Sequence, residues 1–189
     1  MFRQLRGTKL TLIVVAGVMA LAACGSSSSS STQTTSSTVE TVKARPAGPN
    51  PSKSAQMVCG DEAQKDLADS LGVKPTMVTT PTWVDHVYSC TYAYPNGSFT
   101  LSVKELDSAK QTTDYYNQVR TLLGHKSGNI PIGQGAFETT NGSLVARKDW
   151  KVLTVDVSKI PPRFGQPPIT PTEVGLATAS TIMGCWSGT

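Results

Sequence analysis

Residues Gly25–Gln56 read GSSSSSSTQTTSSTVETVKARPAGPNPSKSAQ, and this stretch limits what the rest of the chain can fold into. Serine and threonine dominate first, then proline, lysine and alanine. Such side chains bury little apolar surface. Fixing their backbone would cost about 1–2 kcal/mol per residue without compensating burial. A disordered tether is expected here, and any core must come from later residues. Met57–Trp186 supplies about 130 residues, enough for one hydrophobic core. The hydrophobic content of 38% fits a chain that is only partly packed. The Ser/Thr run is also a candidate for O-glycosylation, although a bare linker needs no modification.

The chain before the tether has three parts. Met1–Lys9 carries Arg3, Arg6 and Lys9; Leu10–Ala20 reads LTLIVVAGVMA; Ala22 and Ala23 lead to Cys24. A basic start, a short apolar run and small residues make up a secretory signal. Counted on through Ala23, the apolar run of about 14 residues is shorter than the roughly 20 that span a bilayer comfortably. Leu21-Ala22-Ala23-Cys24 resembles the lipobox of bacterial lipoproteins. The resemblance implies that diacylglycerol joins the Cys24 sulfur and that cleavage removes residues 1–23. Two buried acyl chains, at about 0.8 kcal/mol per methylene, would make a stable anchor. Gly25 is not the acidic residue that can retain such proteins on an inner membrane. The expected location is the extracellular face of the cell membrane. A tether of about 32 flexible residues would reach roughly 30 Å from it.

The formal charge of +4 comes from 17 basic and 13 acidic residues, but three of the basic ones lie within the first nine residues. Beyond residue 23, 14 basic side chains face 13 acidic ones, a net +1. That balance lacks the clustered basic face that nucleic acid requires, so no nucleic-acid partner is expected.

Periodicity sets out the domain. GDEAQKDLADSLG (Gly60–Gly72) predicts a helix with Asp61 as cap, Ala63, Leu67, Ala68 and Leu71 on one face, and Gly72 as stop. Tyr88–Lys104 predicts a hairpin. Tyr88, Cys90, Tyr92 and Tyr94 alternate on one strand, Phe99, Leu101 and Val103 on the other, and Pro95-Asn96-Gly97 turns between them. A helix over Ser108–Leu123 carries Tyr116, Val119 and Leu123 on one stripe, flanked by Tyr115 and Leu122. A meander of Ala136–Thr140, Ser143–Lys148 and Lys151–Val157 follows, turning at Asn141-Gly142 and Asp149-Trp150. The last helix opens on a capping box, Thr170 with Glu173, and has Pro171 in its first turn. Its expected inner face is Val174, Ala177, Thr178, Thr181, Ile182 and Cys185. The order α-ββ-α-βββ-α implies an α+β fold: one mainly antiparallel sheet of about five strands with helices on one face.

Few residues point to chemistry. Cys59, Cys90 and Cys185 remain after lipidation, and an oxidising compartment permits a disulfide. Three pairings are possible and the sequence does not choose among them. Cys59–Cys90 is favoured because it would fasten the first helix to the first strand. A loop of that length is worth about 3 kcal/mol. No Cys-x-x-Cys spacing supports a metal, and no Gly-x-Ser-x-Gly elbow supports a catalytic serine. His86 and His125 stand alone, and Gly133-Gln134-Gly135 lacks the strand-loop-helix setting of a phosphate loop. No catalytic residue, metal or cofactor is expected. The loop IPPRFGQPPITP (Ile160–Pro171) presents Arg163 beside Phe164, a candidate partner contact together with Trp83. The opposing reading has Phe164 tucked inward.

Cys59-Gly60-Asp61, Cys90-Thr91-Tyr92 and Ile132-Gly133-Gln134-Gly135-Ala136 together resemble small actinobacterial, mycobacterial-type lipoproteins with an uncharacterised extracellular domain. The resemblance covers roughly Cys59–Val157. Cys-x-Tyr in place of the usual Cys-x-Trp, and the extra Cys185, depart from that pattern. The resemblance brings no settled activity. The expectation is a non-catalytic binding or interaction module, held to the membrane by acyl chains on Cys24 and facing an envelope protein or ligand. One alternative is a carrier of a small or apolar ligand between sheet and helices. A surface hydrolase is the other.

Overall fold

The computed structural model describes residues 44–126 and 128–186. The expected signal segment, Cys24 and most of the tether lie outside the described residues.

The elements, in chain order, are helices Lys53–Met57 (α1) and Asp61–Leu71 (α2); strands Met77–Val78 (β1), Thr82–Val84 (β2), Val87–Tyr94 (β3) and Gly97–Glu105 (β4); helix Ala109–Leu123 (α3); strands Ala136–Glu138 (β5), Leu144–Lys148 (β6) and Lys151–Lys159 (β7); and helix Pro171–Cys185 (α4). One antiparallel sheet runs β1-β3-β4-β7-β6-β5, with β2 also paired to β3. The protein is α+β with a mainly antiparallel sheet, as its patterning implies.

The sheet has seven strands rather than about five. The additional strands, β1 and β2, share one edge of β3: Met77 pairs with Ala93, and Trp83 with Tyr88. Pro81 sits between them, where an edge tolerates the missing N–H. At two and three residues these strands are too short to show a period. The β2–β3 turn also carries no glycine. Asp85 (φ 49°) and His86 (φ 58°) both adopt the left-handed conformation, as do Asp149 (φ 48°) and Trp150 (φ 63°) between β6 and β7. Two such residues in a row make the turn whose twist matches the flanking strands.

Strand alternation builds two cores. Tyr92, Phe99, Leu101, Leu153, Val155, Leu144 and Ala146 face α1, α2 and α4. Val145 and Val152 point the other way and meet Tyr116 of α3 and Phe137. Helices therefore cover both faces, with α3 alone on its side; the expected single-sided arrangement is corrected here. The α3 stripe is also shorter than expected. Thr112 and Tyr116 are buried, but Leu122 and Leu123 are 74% and 47% exposed.

The caps follow the sequence with one correction. Gly60, not Asp61, caps α2; Asp61 and Glu62 occupy its first turn, where carboxylates complement the helix dipole. The Thr170–Glu173 capping box forms as read, with Pro171 opening α4. The inner face of α4 includes Gly175, Ala179 and Met183 beside Val174, Thr178 and Ile182. A Cβ on Gly175 would lie 2.8 Å from the Gly142 carbonyl oxygen, so glycine lets the helix seat against the β5–β6 turn.

The tether expectation fails near its end. From Ala44 the chain is a strap across the domain, and Ser54, Ala55 and Val58 are buried. Ala47 N–H donates to Leu106 O at 3.2 Å, and Trp186 Nε1 donates to Ser54 O at 2.7 Å. Ser52 caps α1, and its N–H and hydroxyl both donate to the buried carboxylate of Glu105. These are largely backbone contacts, which composition does not reveal. The Cys59–Cys90 disulfide, with Cα atoms 6.0 Å apart, links the start of α2 to β3.

Candidate functional site

Three segments distant in sequence meet at one end of the β3–β4 hairpin. Gly72 ends α2 in the left-handed conformation (φ 66°) and leads into Val73, which packs against the core, and exposed Lys74. Tyr94-Pro95-Asn96 forms the hairpin tip, where Tyr94 pairs with Gly97. The loop from Arg163 to Pro168 completes the ring. Gln166 N–H donates to Leu71 O at 2.8 Å, while Phe164 and Ile169 exchange backbone hydrogen bonds at 2.9 and 2.8 Å. The approach is close: a Cβ on Gly72 would fall 1.9 Å from Gln166 O. Together the segments enclose an open cleft of about 660 Å³.

Aromatic rings form the base of this cleft. Phe164 is 2% exposed and meets Tyr94 edge-on, with centroids 4.8 Å apart. Tyr94 in turn stacks on Phe99 at 5.8 Å, and Phe99 on Tyr92 at 5.0 Å, joining the cleft to the core. The Tyr94 hydroxyl is buried with no hydrogen-bond partner among the described residues, and burial pushes its pKa upward. The Tyr92 hydroxyl, by contrast, donates to Val58 O at 2.7 Å.

The rim is cationic. Lys74 and Arg163 are exposed, and among the described residues neither forms a salt bridge. Among the described residues no carboxylate lines the cleft. Glu173 lies within electrostatic reach of Arg163, but its carboxylate accepts from Thr170 N at 2.7 Å and Thr170 Oγ1 at 2.8 Å in the α4 cap.

The sequence candidates separate in the structure. Arg163 and Phe164 both line the cleft, but Phe164 does so as a buried wall, in line with the inward reading of this loop rather than with an exposed aromatic contact. Trp83 is elsewhere. It pairs with Tyr88, and Tyr94 stands six positions further along β3, about 20 Å away at strand rise. Its indole N–H donates to Pro49 O at 2.9 Å, and its ring meets His86 edge-on at 5.6 Å. Trp83 therefore pins the strap. Lys74 carries no local sequence signal and Tyr94 reads as one of the alternating strand residues; only folding brings them beside Arg163.

A smaller cleft of about 220 Å³ lies beside Arg147. Its guanidinium donates to Thr113 Oγ1 at 2.8 Å and to Gln134 O at 3.3 Å, and sits 5.0 Å from the Tyr116 ring centre. Those contacts commit the charge internally. His125 packs edge-on toward Phe137 at 6.5 Å. Cys185 lies outside the disulfide, with its sulfur 3.7 Å from Asp66 Oδ2. Among the described residues no three His, Cys, Asp or Glu side chains gather to hold a metal. Gly133 (φ 59°) and Gly135 (φ 135°) bend the backbone against β6, where Gln134 N–H donates to Arg147 O at 2.7 Å. No helix among the described residues is long and apolar enough to cross a membrane.

No family model matches the chain, and neither a curated protein nor a solved structure matches it.

Proposed function

We propose that the chain is a bacterial lipoprotein of the actinobacterial type. In this reading it is anchored through acyl chains on Cys24 and acts as a non-catalytic binding module at the extracellular face of the cell membrane. The observation that carries the binding role is the cleft beside Arg163. It is an open concavity with an aromatic base and a cationic rim, set into a fold whose sheet–helix interior is filled by side chains. Sites for small molecules have this composition: mostly apolar walls with a few polar groups that orient the ligand. The anchoring role rests on the sequence Leu21-Ala22-Ala23-Cys24.

Carriage of a ligand between sheet and helices has less support, because Tyr92 and Phe99 stack in that space. A hydrolase of the Ser-His-carboxylate type has less support, because His86 occupies a β-turn against Trp83 and His125 packs toward Phe137.

Fractionation of cells that express the Cys24→Ala chain tests the anchor. Wild type is expected in the membrane fraction, and the variant is expected to be released or left unprocessed. Identical fractionation and migration of the two would refute anchoring.

A further inference from the structure

We infer that the cleft between the β3–β4 turn and the Arg163–Pro168 loop takes a small organic anion with a flat or aliphatic apolar body, its charge held by Lys74 and Arg163. The inference rests on the binding-module reading and names the ligand class.

Charge comes first. Two cations stand at the rim without salt bridges among the described residues, and no carboxylate lines the cleft. Such a surface attracts an anion and disfavours a cation. The planar guanidinium of Arg163 can grip a carboxylate or phosphate through two parallel N–H bonds, while Lys74 adds a mobile point charge.

Backbone geometry then argues against a bare inorganic ion. Anion cradles are built from unsatisfied backbone N–H groups. Here the amides of Phe164 and Gln166 are already committed, to Ile169 O and Leu71 O. Lys74 and Arg163 are then the charged groups of the cleft, and exposed pairs contribute little on their own. An apolar body must therefore add to the affinity, lying on exposed Pro95 and Pro168 and on the accessible edges of Tyr94 and Phe164. The volume of about 660 Å³ suits a molecule of small-ligand size.

Saturation-transfer NMR on the full, detergent-solubilised chain tests this. Naphthoate is the probe, the neutral isostere naphthamide removes the charge, and inorganic phosphate removes the apolar body. Naphthoate is expected to bind saturably. Binding should weaken at least tenfold with naphthamide, with phosphate, and in the double variant Lys74→Gln/Arg163→Gln. The variant should melt at the wild-type temperature, because both side chains are exposed. Equal binding of naphthamide overturns the charge requirement, and equal binding of phosphate overturns the apolar one. Undiminished binding by the folded variant, or no naphthoate binding at all, overturns the site. The intact mass of the same sample separates the two readings. An acylated chain that ignores naphthoate sinks the ligand class and leaves the anchor standing.

Discussion

Arg163 and Phe164 are adjacent in sequence and have opposite environments. One is exposed at the cleft rim, and the other is 2% exposed against Tyr94. Phe164→Ala should cost about 3–5 kcal/mol, because the cavity it leaves adds to the lost burial. Arg163→Ala should change stability by no more than about 0.5 kcal/mol. Urea unfolding of both variants checks this, and a mild Phe164→Ala would mean the ring does not close the core. Glu138 is a half-buried carboxyl whose titration is linked to the fold. Burial opposes its charge, but hydrogen bonds from Lys126 and Thr172 outweigh that and hold its pKa below the ordinary 4.5. A carboxyl lowered in the folded state binds fewer protons there than in the unfolded chain. Its contribution is thus complete above the unfolded value and is lost as pH falls through the folded one. Melting temperatures measured from about pH 7 down to about pH 3 should show a shallower acid limb in Glu138→Gln, with lower stability at neutral pH. Identical limbs would show that Glu138 carries no such linkage.

At the scale of elements, legibility followed local chemistry. The Thr170–Glu173 box, the glycine after Leu71 and the alternation of Tyr92, Tyr94, Phe99 and Leu101 are signals spaced within a few residues. They placed α2, α4 and the β3–β4 hairpin within a residue or two. The strands β1 and β2 were hidden because their order comes from hydrogen bonds to β3, and their turn uses Asp85-His86 where glycine would have advertised it. The strap was hidden for a related reason. Ser52 is one more serine by composition, but its hydroxyl both caps α1 and meets buried Glu105. Ser52→Ala should lower stability by about 1–2 kcal/mol, as loss of a helix cap does. It should also speed proteolytic cleavage before Lys53 relative to cleavage within the domain. Unchanged stability and cleavage would mean the strap is held without it.

For the molecule as a whole, the cleft was the least legible feature. Its walls come from Val73-Lys74, Tyr94-Pro95-Asn96 and Arg163–Pro168, and no local pattern relates them. The α+β class was readable because strand and helix periods alternate along the chain. The side of the sheet that α3 covers was not, since Val145 and Val152 lie within strands whose other buried apolar residues face the larger core. The proposed role joins this site to a lipid on Cys24. Growth with labelled fatty acid, followed by intact-mass analysis of the purified chain, measures that link directly. The account predicts label on a product that begins at Cys24 and carries the mass of attached acyl groups. An unlabelled chain with an unmodified cysteine would contradict it.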